Sequence, residues 1–405
     1  MKRKLLWYGE APDIETGASQ LSKNLLPLFQ EMFDSIHLVC INHWWEGTTL
    51  TPEQQNHVYM EHGTPDDIWN VARMREALKT GDYTHVFLST DINRITDLLP
   101  ELEIPYRHQK PIIMYAAIDC LVLSRFFLRI LSLATTAVVF SQFSYRVVTR
   151  VLPEIIPTLE IIYHGCETSV FYPLAVEERQ QARIRLFGLD DDTFLVINVN
   201  RNQVRKDLVR TMGAFHAFYQ THPHSRLYLH AKQQDNGGNL IAQCQALGLQ
   251  TEGSNPEVMF TGTDYTEISG YARSDMNLIY NCADVCISTT TGEGWGLTTT
   301  EAMSAGKLFI GPNNTVFPEI LGKKRERGIL VKSGGIDLWV TFYGITDMPR
   351  ELTSTSDMAR ALRWAYHHPT EASHIGQRAR AWCCDHTWEH IRGQWRLLWQ
   401  KILAT

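Results

Sequence analysis

A chain of 405 residues exceeds what one hydrophobic core comfortably organises, so two domains of about 200 residues each are expected. Hydrophobic content of 44% beside 20% charged residues describes a globular enzyme and excludes a disordered chain. The net charge of −6 argues against a general nucleic-acid binder while leaving room for a local basic patch.

The chain opens with a basic stretch, but its apolar run is too short for a secretory signal and reads as a first strand, Lys4 to Tyr8. Eight scattered cysteines include no C-x2-C spacing, which points to reduced thiols in a cytoplasmic protein. Gly17 lies between this strand and a helix over Ala18 to Met32, where a glycine lets the backbone approach a phosphate or an acceptor. The plainer reading of Gly17 is a structural turn. After a second strand, His37 to Asn42, comes His43-Trp44-Trp45-Glu46, either sugar-stacking rings or buried ones. Further strands are expected at His85 to Ser89, Pro111 to Ala116, Ala137 to Phe140 and Glu160 to Tyr163.

Asp119 follows the Pro111 to Ala116 strand, and a helix N-cap is its ordinary role there. The most apolar region, Cys120 to Tyr145, is interrupted by Arg125 and Arg129, so no transmembrane span of about 18 uncharged residues exists. Two readings stand: a helix lying on a membrane surface, or a buried helix followed by a core strand. The buried helix is favoured, and peripheral membrane contact stays open.

The second half repeats the rhythm, with strands at Phe194 to Val199, Arg226 to Ala231, Val258 to Phe260, Asp284 to Ser288, Leu308 to Gly311 and Gly328 to Val331. Helices such as Asp207 to Thr221 and Arg273 to Cys282 fall between them. Strand–helix alternation on this scale predicts an α/β protein of two doubly wound, Rossmann-like domains facing across a cleft. The turn-rich stretch from His164 to Pro173 is the natural boundary. It divides a first domain, 1–168 plus 386–405, from a second, 174–385. A terminal helix, Trp388 to Leu403, carries Ile391, Trp395, Leu398, Trp399 and Ile402 on one stripe.

Two segments carry chemistry. In Asn200-Arg201-Asn202-Gln203-Val204-Arg205-Lys206-Asp207, an arginine and a lysine five residues later leave a strand end and would aim two cations at one anion. In Gly292-Glu293-Gly294-Trp295-Gly296-Leu297-Thr298-Thr299-Thr300-Glu301-Ala302-Met303, one carboxylate sits in a glycine-flanked loop. The other falls about one turn into a helix for which Thr298 to Thr300 offer N-caps. Backbone N–H groups at a helix start attract phosphate, and carboxylates grip sugar hydroxyls. A ligand needing both is a nucleotide sugar.

The Glu293 to Met303 segment resembles the retaining glycosyltransferases of the GT-B fold, in particular the large family 4, whose members carry Glu-Gly-aromatic-Gly-Leu followed by Glu-Ala-Met-Ala. Trp295 fills the aromatic slot. The resemblance implies a metal-independent glycosyltransferase with Arg201 and Lys206 on the donor diphosphate, Glu293 on the donor sugar and Glu301 on the ribose. Gly294, Trp295, Gly296, Leu297, Thr298, Gly17 and Asp119 would line the donor site. The family's glycines beside the two cations are replaced by Asn200 and Asp207, so Arg205 could take the role of Lys206. The family's terminal helix crosses back onto the first domain, and the stripe on Trp388 to Leu403 suits that docking.

No cofactor beyond the nucleotide-sugar donor is implied. The donor base is open, because base contacts near Thr261-Gly262-Thr263-Asp264-Tyr265 would be made mostly by backbone. The acceptor is open too: glycan, lipid, small molecule, protein or modified nucleic acid. The competing readings are a GT-B-like sugar-nucleotide epimerase or hydrolase, and a non-catalytic glycan-binding scaffold. Lys323-Lys324-Arg325-Glu326-Arg327 reads as a solvated turn, and the long segment 332–356 has no sequence-level explanation.

Overall fold

The computed structural model describes residues 2–14, 16, 19–44, 50–261, 271–341 and 348–404. Gly17, Trp45, Glu46 and residues 262–265 of the turn after Phe260 lie outside the described residues.

The first sheet has seven strands: β1 (Lys4–Glu10), β2 (Ser35–Ile41), β3 (Val58–Glu61), β4 (His85–Ser89), β5 (Ile112–Ala116), β6 (Thr136–Val139) and β7 (Leu159–Ile161). All pair in parallel, in the order β3-β2-β1-β4-β5-β6-β7. Apolar residues fill most of the inner strands β1, β5 and β6, because helices cover both faces. The two-residue period sorts them: Leu6 and Tyr8 of β1 join the core on one face, Leu5 and Trp7 the core on the other.

The second sheet contains β8 (Phe194–Val199), β9 (Ser225–His230), β12 (Val258–Phe260), β13 (Val285–Ile287), β14 (Phe309–Pro312) and β15 (Ile329–Val331). Its order is β12-β9-β8-β13-β14-β15, again parallel throughout. Two antiparallel ribbons decorate this half: β10 (Gln234–Asp235) with β11 (Gly238–Asn239), and β16 (Trp339–Thr341) with β17 (Pro349–Glu351). The second ribbon is what the unexplained segment 332–356 builds. Both sheets reverse strand order beside their first strand, β1 or β8, and the chemistry-bearing loops leave the carboxyl ends there.

The expected helix within 120–145 is not one buried helix. A short helix, Arg125–Leu128, runs into a 3-10 turn, Arg129–Leu133, and the core strand β6 follows. The arginines keep one side of this segment at the surface. Arg125 donates to the Val151 carbonyl at 3.0 Å, and the Arg129 guanidinium lies 4.7 Å over the exposed Phe126 ring. No helix among the described residues is long and apolar enough to cross a membrane.

The terminal helix, Trp388–Ala404, crosses back onto the first domain. Its stripe buries Trp395 against Tyr115 and Phe87, with ring centroids 5.0 and 5.4 Å apart. Trp399 packs edge-on to Phe33 and Phe29 at 5.1 and 5.5 Å. The two chain crossings are tied together where the Cys166 amide donates to the His386 carbonyl at 2.8 Å. Across the cleft, Glu319 of the second domain caps the helix Gln142–Val151 of the first, accepting from the Gln142 and Phe143 amides at 2.9 Å each. It also accepts from the Tyr163 hydroxyl at 2.6 Å.

Truncating a fully buried tryptophan costs its transfer energy and leaves a cavity. Trp399→Ala should therefore destabilise the protein by about 3–5 kcal/mol in urea denaturation. An unchanged midpoint would show that the terminal helix adds little to the first domain.

Candidate active site

The site assembles at the carboxyl ends of β8, β13 and β5. After β8 the chain makes a 3-10 turn, Val204–Lys206, then enters the helix Leu208–Tyr219 through Asp207 at φ +49°. That left-handed backbone is where the family pattern has glycine; aspartate is among the side chains that tolerate it. Buried threonines of the loop after β13 pin this turn. The Thr291 amide donates to the Arg205 carbonyl at 2.9 Å, and the Thr289 hydroxyl to the Asp207 carbonyl at 2.8 Å.

The same β13 loop carries Glu293. Its amide donates to the Thr315 hydroxyl at 3.1 Å, and its carboxylate turns to the two cations of the pinned turn. Lys206 Nζ lies 2.5 Å from Oε1, and Arg205 Nη1 lies 3.2 Å from Oε2. Arg205 also donates to the Gly292 carbonyl. Burial alone would raise the Glu293 carboxyl, but Lys206 and Arg205 outweigh it and hold it at about 2. Glu293 is thus held as an anion by its two cations. Burial pulls the Lys206 ammonium downward against the opposing pull of Glu293.

The helix after the loop is Leu297–Ser304, started by Gly296 at φ +87° and not by the threonines expected as caps. Thr298, Thr299 and Thr300 lie inside it. Glu301, on its second turn, accepts from the Tyr280 hydroxyl at 2.8 Å and lies 3.5 Å from Arg273. Burial pushes the Glu301 carboxyl up, while Arg273 and Tyr280 draw it back. Trp295 is in the core, its ring 5.1 Å from Tyr163 and 6.1 Å from Trp382, so its side chain braces the loop from behind. Leu297 is half-buried against the same core.

Asp119 is not a helix cap; Ser124 holds that position for the following short helix. The carboxylate instead reaches across the cleft. Oδ2 lies 3.3 Å from Arg205 Nε, and Oδ1 accepts from Arg350 Nη2 at 3.0 Å. The glycines of the β13 loop permit this approach: a Cβ on Gly292 would stand 2.1 Å from the Asp119 carbonyl oxygen, and one on Gly294 3.4 Å from Phe140.

Arg201 lies apart from Glu293. It is half-exposed, and its Nε pairs with Asp235 of the β10–β11 ribbon at 2.8 Å. Lys206, Arg205, Glu293 and Asp119 therefore form one cluster, Glu301 a second anchored carboxylate on the adjoining helix, and Arg201 a rim cation. Sequence reasoning missed Arg350, Arg273 and Tyr280, none of which stands in a local motif. It also missed the buried hydrogen-bonded run of the first domain in which His43 meets Asp13 at 3.1 Å and His62 at 2.7 Å. A histidine after β2 was in view, but its two partners come from other loops.

Residues 196–341 match the family model described as "Glycosyl transferases group 1". No curated protein matches the sequence. Among solved structures, sucrose-phosphate synthase from Thermosynechococcus elongatus superposes with a TM-score of 0.74 at 16% identity, covering 100% of both chains. A glycosyltransferase from Rickettsia africae gives 0.69 at 13% identity over 99% of each chain. The α,α-trehalose 6-phosphate synthase of Burkholderia multivorans gives 0.68 at 13% identity over 100% of each. At these identities the superpositions establish the shared GT-B fold, and the family match falls on the half that carries Arg205, Lys206, Glu293 and Glu301. Residues 196–341 are similar to the group 1 glycosyl transferases, the whole chain has the GT-B fold, and the protein is an enzyme of the glycosyltransferase class.

Proposed function

We propose that the protein moves a sugar from a nucleotide-diphosphate donor to an acceptor with retention of anomeric configuration and without a metal cofactor. The observation that carries this reading is the cluster of half-buried Arg205 and Lys206 on buried Glu293, at the carboxyl end of the second sheet's central strands. Two cations side by side, close to the start of the helix Leu297–Ser304, suit a diphosphate whose charge grows as the glycosidic bond breaks. The ionised Glu293 carboxylate is suited to accept hydrogen bonds from donor-sugar hydroxyls, and Glu301 from the ribose.

The departing phosphate oxygen is the natural acceptor for the incoming hydroxyl's proton, since Glu293, paired with two cations, is too weak a base to take it. Arg205 and Lys206 supply the positive charge that a divalent ion would otherwise bring to the leaving group. Contact between the Gly292 loop and Asp119 closes the cleft and keeps water from the activated sugar. The trehalose- and sucrose-phosphate synthases that share the fold make phosphorylated disaccharides by name, so a small sugar or sugar phosphate is the first acceptor class to test here.

Purified protein is to be incubated with UDP-, GDP- and ADP-sugars, with and without sugar and sugar-phosphate acceptors, following released nucleoside diphosphate. Acceptor-dependent release is expected, with product anomers retained by proton NMR. Conversion of a donor without any acceptor would point to an epimerase or hydrolase instead. Glu293→Gln should cut turnover about a hundredfold or more with the fold intact by circular dichroism. Wild-type turnover in this variant would remove Glu293 from the reaction. Arg205→Ala and Lys206→Ala should each weaken donor binding more than Arg201→Ala in calorimetric titrations. The reverse ranking would move the diphosphate site to the rim.

A further inference from the structure

The segment 332–356 lies between β15 and the helix Thr355–His367, and its β16–β17 ribbon brings one buried cation to the cleft. Arg350 of β17 is 7% exposed. Its Nη1 donates to the Asp119 carbonyl at 2.9 Å and its Nη2 to the Asp119 carboxylate at 3.0 Å. This two-pronged grip fixes both the backbone and the side chain of Asp119, 231 residues away in sequence.

The ribbon that aims Arg350 is itself tied to the site. Thr353 donates its hydroxyl to the Thr289 carbonyl at 3.1 Å, and the Thr353 carbonyl accepts from Arg210 at 3.0 Å. The Leu352 amide donates to the Leu338 carbonyl at 2.9 Å, closing the base of the ribbon. Arg350 therefore reports to the same loop that carries Glu293.

The charges around Arg205 explain what this grip achieves. Asp119 Oδ2 and Glu293 Oε2 both lie against Arg205, at 3.3 and 3.2 Å. Asp91, just beyond β4, is a further carboxylate whose charge acts on Asp119 and Arg205. A diphosphate arriving at Arg205 meets Asp119 as a neighbouring anion. Left without a partner, that carboxylate would repel the phosphate and compete with it for Arg205. Arg350 supplies the partner from the opposite side.

We propose that Arg350 is a positioning residue for the donor site: it holds and neutralises Asp119, so that Arg205 is released to the diphosphate of the substrate. The inference rests on the nucleotide-diphosphate reading above and adds to it a residue of the ribbon that no local motif marks. Arg350 acts through Asp119 and is given no contact with the substrate.

The test uses full-length protein and inorganic pyrophosphate as the probe, by isothermal titration calorimetry. Arg350→Ala should weaken pyrophosphate binding about tenfold. Adding Asp119→Asn to Arg350→Ala should restore binding to within about threefold of wild type, because the carboxylate to be neutralised is gone. Arg350→Gln, which keeps a hydrogen-bond donor and drops the charge, serves if the alanine variant fails to fold, and should show the same loss and rescue. Wild-type affinity in the single variant overturns the proposal while leaving the donor site in place. A loss that Asp119→Asn does not rescue also overturns it, since Arg350 would then act by bracing the ribbon. Wild-type protein that fails to bind pyrophosphate overturns both this inference and the diphosphate reading.

Discussion

The structure depends on a partly buried conflict of charge between two domains. Glu293, Arg205 and Lys206 come from one domain, and Asp119 comes from the other to share Arg205. Removing such groups from water is costly, and the cost is met only where each charge has a partner and fixed geometry. Each feature around the cluster serves that requirement. Buried threonines fix the cation turn, glycines let the two backbones touch, and Gly296 starts the helix that leaves the loop. A site that neutralises its own carboxylates with more than one cation is also one prepared for an incoming anion.

The same logic explains the architecture around it. The contacts across the cleft hold the domains together without fusing their cores. Polar clamps fill that role: Glu319 on the amides of Gln142 and Phe143, and Arg350 on Asp119. The apolar work is placed elsewhere, in the terminal helix whose Trp395 and Trp399 return to the first domain. The cleft is thus spanned by polar contacts, while the apolar packing between the terminal helix and the first domain lies away from it.

Much of this was legible in the sequence because it is local. Runs of apolar strand residues, the stripe on the terminal helix, and the Glu293-to-Glu301 spacing each follow from backbone periodicity. The Arg201–Lys206 pair was half legible. Five residues of separation suggested that both cations face one way, but Val204–Lys206 winds as a 3-10 turn and brings Arg205 with Lys206 onto Glu293. Arg201 instead pairs with Asp235, on a small ribbon that no apolar pattern announced. Trp295, conspicuous between glycines, proved to be a packing residue. The pairing of Asp119 with Arg350 was illegible for a simpler reason: it spans the two domains, and nothing in either neighbourhood encodes it.

The central claim is that a nucleotide sugar lodges between residues 200–208 and 289–298. Hydrogen–deuterium exchange, measured with and without each nucleotide sugar, tests this most directly. The account predicts slowed exchange on those two segments and on the loop around Asp119 with the cognate donor. Protection confined to other surfaces, with these three segments exchanging as in the free protein, would contradict it.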